Sequence, residues 1–331
     1  MTDELQSQIR QAIQEVNTIL LVTHKRPDGD AMGSLLGFGL SLQQAGKSVC
    51  MLVEDSVPST YMHLPGVDQI QFTLPKRFDL AIFLDCADIS RIGLSIGSRK
   101  PDINIDHHGT NTKFAHYNLV DNNAVATTEI LANYLPVWGL PITKEVSDCL
   151  LTGIITDTIG FSTSNMTVQA FEVAAMLFNQ GSNMPELYRK ALRQRSFPAA
   201  RLWGFGLSNM QKQGRLVWSK ITNEERAAAA YPDKDDAEFA NFLSSIDESD
   251  VSVLFQENNN GVIKVSWRAQ PDFDVAELAR VFGGGGHVAA AGAEVFGELD
   301  QVIDRVLKTT KDYLSMANNF TPLMKDKYLG T

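Results

Sequence analysis

The sequence predicts an α/β fold in two domains, and three observations carry that prediction. Short runs rich in Ile, Leu, Val and Phe occur at residues 18–23, 48–53, 80–84 and 103–105. Apolar on both faces, they suit strands of a parallel sheet buried under helices. Helical stretches lie between them, and a chain of 331 residues is long enough for two domains. Taken in order, Leu5, Ile9, Ile13 and Val16 form a helical stripe that leads into the first run. Residues 31–45 read as a helix ended by Gly46, and 127–134 as another that follows an Asn-rich loop. Gly33, Gly37 and Gly39 lack the spacing of a dinucleotide fingerprint and mark close helix packing. Past residue 160 the texture changes, with a helix at 167–180 closed by Gly181 and another from 185 to about 195, uninterrupted by strands. Strand signals resume at 215–221 and 251–256, the second pairing through Asn258-Asn259-Asn260-Gly261 with 262–268 as a hairpin. The expected organisation is a first domain over 1–190 with a parallel sheet flanked by helices. A helical connector over 191–214 and a smaller mixed-sheet α/β domain over 215–331 follow.

Composition narrows the function. Lys and Arg total 29 against 39 Asp and Glu, a net charge of −10. That surplus repels long nucleic acids and anionic membranes. An anionic substrate therefore needs a local reversal of the field, which bound divalent cations supply. Cys50, Cys86 and Cys149 are odd in number and far apart, as reduced core cysteines of a cytoplasmic protein would be. No run approaches the roughly 18 apolar residues of a membrane span, and the opening MTDELQSQIRQAIQEV is polar where a signal peptide is greasy. The expected address is the cytoplasm, with no membrane partner.

The ends of the apolar runs hold the chemistry. His24, Asp28 and Asp30 follow the first run, Asp85 ends another, Asp106, His107 and His108 end a third, and Asp157 ends the run LLTGIITDT. Ligands of an open parallel sheet bind outside the carboxyl ends of its strands, so these groups converge on one edge. Five carboxylates so gathered repel one another unless cations sit among them. A His and Asp donor set without Cys suits Mn²⁺, with Co²⁺ or Mg²⁺ as substitutes. The ligands outnumber the needs of one ion. That favours two metals roughly 3.5–4 Å apart, bridged by a carboxylate and a hydroxide for in-line attack on phosphorus. A lone strand-end Asp usually caps the next helix. Capping, however, does not explain why three of the six histidines stand beside these acids. His63, His116, Glu54 and Asp55 have no such company and read as ordinary.

The second domain offers Gly283, Gly284, Gly285, Gly286 and His287, followed by VAAAGA. Glycines stripped of side chains let backbone N–H groups approach an anion or nucleotide, and the small residues after them permit tight packing or a helix start. Lys264, Ser266 and Arg268 alternate along one strand face, where Arg268 can clamp a phosphate.

With HKRPDGDAMGS, LDCAD, DHHGTN and TDTIGF in that order, and GGGGHVAAAGA after them, the chain resembles the DHH phosphoesterase superfamily with its type-1 associated carboxyl-terminal domain. Within it the chain most resembles the nanoRNase/pAp phosphatase branch, which trims very short oligonucleotides and removes the 3′-phosphate of pAp. The resemblance implies that His24, Asp28 and Asp85 hold one Mn²⁺ and that Asp30, Asp85, His107 and Asp157 hold another. It places His108 at the scissile phosphate and Asp106 as the group that orients the imidazoles. Ser266, Arg268, Gly284, Gly285, Gly286 and His287 would hold the nucleotide and its terminal phosphate. Ala269 departs from the Ser-x-Arg-Ser pattern common in the family. The implied substrates are short oligoribonucleotides, pAp or dinucleotides, with no long nucleic acid as partner and with a homodimer left open. Cyclic-dinucleotide phosphodiesterase, manganese pyrophosphatase and a non-catalytic nucleotide-binding regulator are the rival readings.

Overall fold

The computed structural model describes residues 3–54, 56–93, 100–258, 261–270 and 272–320. Asp55, Asn259 and Asn260, which the sequence reading singled out, lie outside them. A first unit ends at Gln194 and a second begins at Arg195.

In the first unit, β1 (Thr18–Val22), β2 (Ser48–Leu52), β3 (Leu80–Leu84), β4 (Ile103–Asp106) and β5 (Tyr117–Val120) form one sheet in the order β2-β1-β3-β4-β5. Every pairing is parallel. Helices α1 (Asp3–Gln14), α2 (Gly29–Gln44), α3 (Thr127–Tyr134), α4 (Lys144–Asp157), α5 (Val168–Phe178) and α6 (Met184–Tyr188) flank it, and a π-turn follows at Arg189–Arg193. The doubly apolar runs are explained by burial on both sides. Ile19 and Leu21 of β1 join the larger core with α2 and α4, whereas Leu20 and Val22 pack with Ala81, Phe83 and Ile92 on the opposite face. Gly33 marks close helix packing as expected: a Cβ there would lie 2.5 Å from the Cys149 carbonyl of α4.

One apolar run is a helix, and one strand has no counterpart in the sequence reading. The run ending at Asp157 belongs to α4 and is not a strand. Ten of its fourteen residues are buried, so its continuous apolar character reflects a helix packed nearly all round. β5 carries too weak a signal to read, because only Leu119 of its four residues is fully buried.

The second unit is built on a six-stranded mixed sheet of β6 (Gln211–Gln213), β7 (Leu216–Ile221), β8 (Val251–Glu257), β9 (Val262–Ala269), β10 (Gly285–His287) and β11 (Ala290–Phe296). Their order is β10-β11-β9-β8-β7-β6, with only β7 and β8 parallel among these pairs. Helices α7 (Phe197–Ser208), α8 (Asn223–Ala229) and α9 (Phe239–Leu243) enclose one core with the sheet, and α10 (Val275–Val281) and α11 (Leu299–Phe320) another. The glycine-rich segment, expected as a loop followed by either tight packing or a helix start, is one strand of an antiparallel hairpin. A Cβ on Gly284 would stand 2.1 Å from the Gly292 carbonyl, and one on Gly286 would stand 2.5 Å from the Ala290 carbonyl. Close strand approach thus accounts for those two glycines. Gly285 has nothing within 4 Å of its missing Cβ.

Candidate metal centre

The carboxyl ends of β1, β3 and β4, together with the end of α4, bring eight side chains to one place. The backbone at Asp85 turns immediately after β3 with φ +56°, a left-handed conformation that is strained for a side-chain-bearing residue and that recurs at functional sites. There Asp85 Oδ2 lies 3.4 Å from His24 Nε2, and Oδ1 lies 3.8 Å from His107 Nε2 and 3.6 Å from His108 Nδ1. His107 Nε2 is also 3.4 Å from Asp157 Oδ2, and His24 Nε2 is 4.0 Å from Asp28 Oδ2. His24, Asp28 and Asp85 form one group with ligand atoms all within 4.8 Å of one another; Asp30, His107 and Asp157 form a second, and Asp85, His107 and His108 a third.

Hydrogen bonds fix which atoms face inward. His24 Nδ1 lies 2.9 Å from the Lys25 carbonyl and His107 Nδ1 3.3 Å from that of Ala124. A carbonyl only accepts, so each Nδ1 carries the hydrogen and each neutral ring turns its Nε2 lone pair toward carboxylate oxygens. Electron-rich atoms facing each other in this way need a proton or a cation between them. The 3.4 Å spacings of His24 to Asp85 and His107 to Asp157 suit a cation, because two ligands roughly 2.1 Å from one ion lie about 3.0–3.5 Å apart. The donor set of imidazole and carboxylate fits a borderline or hard divalent ion.

Asp28 serves twice: Oδ1 caps α2 by accepting from the Asp30 and Ala31 amides, while Oδ2 faces His24. Asp30 is buried and accepts from the amides of Thr127 and Thr128 at 2.7 and 3.0 Å, and from the Thr128 hydroxyl at 2.6 Å. These are the orphan amides of α3, whose N-cap, Ala126, has no side chain to offer. The Thr127 hydroxyl donates to Asp85 Oδ1. Asp106 accepts from His108 Nδ1 at 2.7 Å and from Asn111 Nδ2 at 2.5 Å, which fixes the orientation of the His108 ring. Thr127, Thr128 and Asn111 went unread as site residues. The Thr pair at a helix start was the available signal for the first two.

The titration behaviour reflects the crowding. Burial, then the Asp85 charge, raises Asp30 to about 7 against the opposing pull of His107 and Thr128. Burial together with Asp30, Asp28 and Asp85 raises Asp157 well above the ordinary carboxylate range. Its place in the last turn of α4, where the helix dipole is negative, adds to the cost of ionisation. Burial would raise Asp85 too, but its hydrogen bond with His24 and the charges of His108, His24 and His107 outweigh it and hold the carboxyl low. Burial opposes protonation of His24, His107 and His108, yet the neighbouring carboxylates win and raise all three.

A steric test follows from α4. A Cβ at Gly153 would lie 2.4 Å from Thr128 Cγ2 and 2.8 Å from Asp30 Oδ1. Alanine in mid-helix usually stabilises by about 0.5–1 kcal/mol relative to glycine. Overpacking costs about 1–3 kcal/mol and wins here. Gly153→Ala is expected to lower the thermal midpoint and weaken metal uptake together, as read by melting curves and calorimetric titration; a raised midpoint would refute the packing.

The residues expected to hold substrate sit in the second unit. Ser266 pairs in register with Gly292, which pairs with Gly285; Arg268 pairs with Ala290, which pairs with His287. Ser266 and Arg268 therefore share one sheet face, in rows that end on the glycine-rich strand.

A family model for the N-terminal domain of the DHH family matches residues 18–154, and one for the DHHA1 domain matches residues 225–316. Among curated proteins, the chain is 35% identical to the bifunctional oligoribonuclease and PAP phosphatase NrnA of Thermus thermophilus, over 90% of this chain and 91% of that one. It is 24% identical to the cyclic-di-AMP phosphodiesterase GdpP of Geobacillus thermodenitrificans, over 88% of this chain but 47% of the relative. Among solved structures, an exopolyphosphatase-related protein from Bacteroides fragilis matches with a TM-score of 0.85 and 26% identity, over 98% of both chains. Among the described residues, no helix is long and apolar enough to cross a membrane.

Proposed function

Since this chain belongs to the DHH family and is a phosphoesterase, we propose that it hydrolyses short oligoribonucleotides to mononucleotides and removes the 3′-phosphate of pAp, using two divalent cations. The observation that carries the reading is the pair of imidazole lone pairs at His24 and His107 turned onto a shared carboxylate, Asp85. His24, Asp28 and Asp85 would hold one ion, and Asp30, Asp85, His107 and Asp157 the other, with Mn²⁺ the preferred occupant. Bound there, such ions supply charge neutralisation, Lewis acidity toward phosphoryl oxygens and a water made nucleophilic near neutral pH.

The chain's own groups do the rest. Asp106 orients the His108 ring through Nδ1, and the ring's Nε2 would hold a proton for the leaving oxygen. Asn111 fixes Asp106 in turn. In the second unit, Ser266, Arg268 and the strand Gly285–His287 are assigned to the nucleotide and its terminal phosphate. The glycine at 285, which packing does not demand, is consistent with a ligand lying against the backbone there. A net charge of −10 disfavours long polyanions and supports short substrates.

The test is a Mn²⁺ assay on pAp, pApA, a cyclic dinucleotide, pyrophosphate and a long oligomer. Turnover of pAp and pApA is expected, with the long oligomer slower by roughly 10²-fold, about 2.7 kcal/mol of barrier. Equal rates on pApA and the long oligomer would remove the preference for short chains. Cleavage of the cyclic dinucleotide alone would move the assignment to the activity that the name of the Geobacillus relative describes.

A further inference from the structure

The segment between α8 and α9, residues 230–238, is anchored far more heavily than an ordinary surface loop. Arg226 Nη1 donates to the carbonyls of Asp233 and Asp235, both at 2.8 Å, and the Tyr231 hydroxyl donates to the Asp235 carboxylate. The Ala237 carbonyl accepts from Trp203 Nε1 at 2.9 Å and from Arg195 Nε at 3.3 Å. Ala237 and Glu238 are both left-handed, with φ +51° and +67°, although neither is glycine. Two strained residues in succession persist only where their surroundings over-determine them.

What the strain delivers is the start of α9 against β9. Glu238 accepts from Asn241 Nδ2, which fixes the orientation of the Asn241 amide. Asn241 Oδ1 then accepts from Arg268 Nε at 2.8 Å, and Arg268 Nη1 donates to the Trp267 carbonyl at 3.0 Å. Among the described residues, Arg268 Nη2 has no protein acceptor. An arginine side chain left to itself carries substantial rotamer entropy, about 2 kcal/mol, which is lost when it grips a ligand. Here that ordering is done in advance, and the outer edge of the guanidinium is left to a phosphate.

We propose that Asn241, locked by Glu238, is a positioning residue that presents the guanidinium of Arg268 to a phosphate group of the substrate. The proposal rests on the reading of Arg268 as a phosphate contact, and the experiment separates the two. Steady-state kinetics on pAp with Mn²⁺ are measured for Asn241→Ala, Arg268→Ala, the double variant, and Glu238→Gln combined with Asn241→Asp. That last pair reverses the donor and acceptor between the two side chains but keeps an oxygen for Arg268 Nε. Asn241→Ala is expected to raise KM about tenfold with kcat and melting temperature nearly unchanged, and to add nothing once Arg268 is already alanine. The paired exchange should return KM to within about threefold of the parent, which a merely structural role would not require. An unchanged KM in Arg268→Ala overturns the reading of Arg268. A raised KM in Arg268→Ala with an unchanged KM in Asn241→Ala, or additive effects in the double variant, overturns the positioning role alone.

Discussion

Replacing Asp85 should lower turnover by at least roughly 10³-fold, the equivalent of about 4 kcal/mol of barrier. Its two oxygens are the only ones that face both His24 and His107 among the described ion pairs, so its loss separates the two ligand groups. The better variant is Asp85→Asn. Asparagine tolerates φ +56° and fills the same volume, whereas alanine adds left-handed strain to the loss of charge. The ordinary role of a strand-end Asp is already taken, since Asp88 caps the next helical turn by accepting from the Ser90 amide. Metal analysis of purified Asp85→Asn should find fewer ions per chain than in the parent, alongside lost hydrolysis of pAp. Parental turnover in this variant would contradict the assignment of the centre.

Stripping divalent ions should abolish turnover, and it should also destabilise the fold by an amount that grows with pH. Asp30 and Asp157 have folded-state affinities for protons raised above their unfolded values, as do His24 and His107 among the candidate ligands. Groups raised in this way stabilise the fold fully only at low pH. The Asp30 contribution drains away as pH rises from about 4 through about 7, and those of the imidazoles above about 6.5. Asp85 has the opposite sign, but its contribution is lost only in acid, below this window. His63, lowered by burial, also has the opposite sign; it lies outside the candidate ligand groups and cancels in a comparison of loaded with stripped protein. Ions at the centre displace the protons and make their loss harmless. The gap in melting temperature between Mn²⁺-loaded and chelated protein should therefore widen from about pH 5.5 to about pH 8. A constant or narrowing gap would show that protons and cations do not compete for these groups.

Some of this was legible in the residues. Doubly apolar runs marked β1, β3 and β4 almost to the residue, because a buried parallel strand has no polar face to blur its ends, and the edge strand β2 was read from its apolar run although its first three residues are not buried. His24, Asp28, Asp30, Asp85, Asp106, His107 and His108 stood out because capping explains a single acid but not acids accompanied by half the histidines. Asp157 was found for an incomplete reason: its apolar run is a helix, and a buried helix and a buried strand look alike over so few residues. The glycine run misled in a similar way. Glycine permits a loop, but at Gly284 and Gly286 it is required by strands too close for a Cβ.

By itself, the sequence determined which chemical groups the protein owns and that they lie beside the ends of apolar runs, since composition and periodicity are local properties of the chain. Only the tertiary structure decided that the orphan amides of Thr127 and Thr128 close on Asp30, that Asn111 holds Asp106, and that Asn241 holds Arg268. Asp30 reaches its partners across 97 and 98 positions. No local pattern encodes such a meeting. It arises because unpaired backbone donors and buried carboxylates both lose water on folding, and each is the partner that offsets the other's loss.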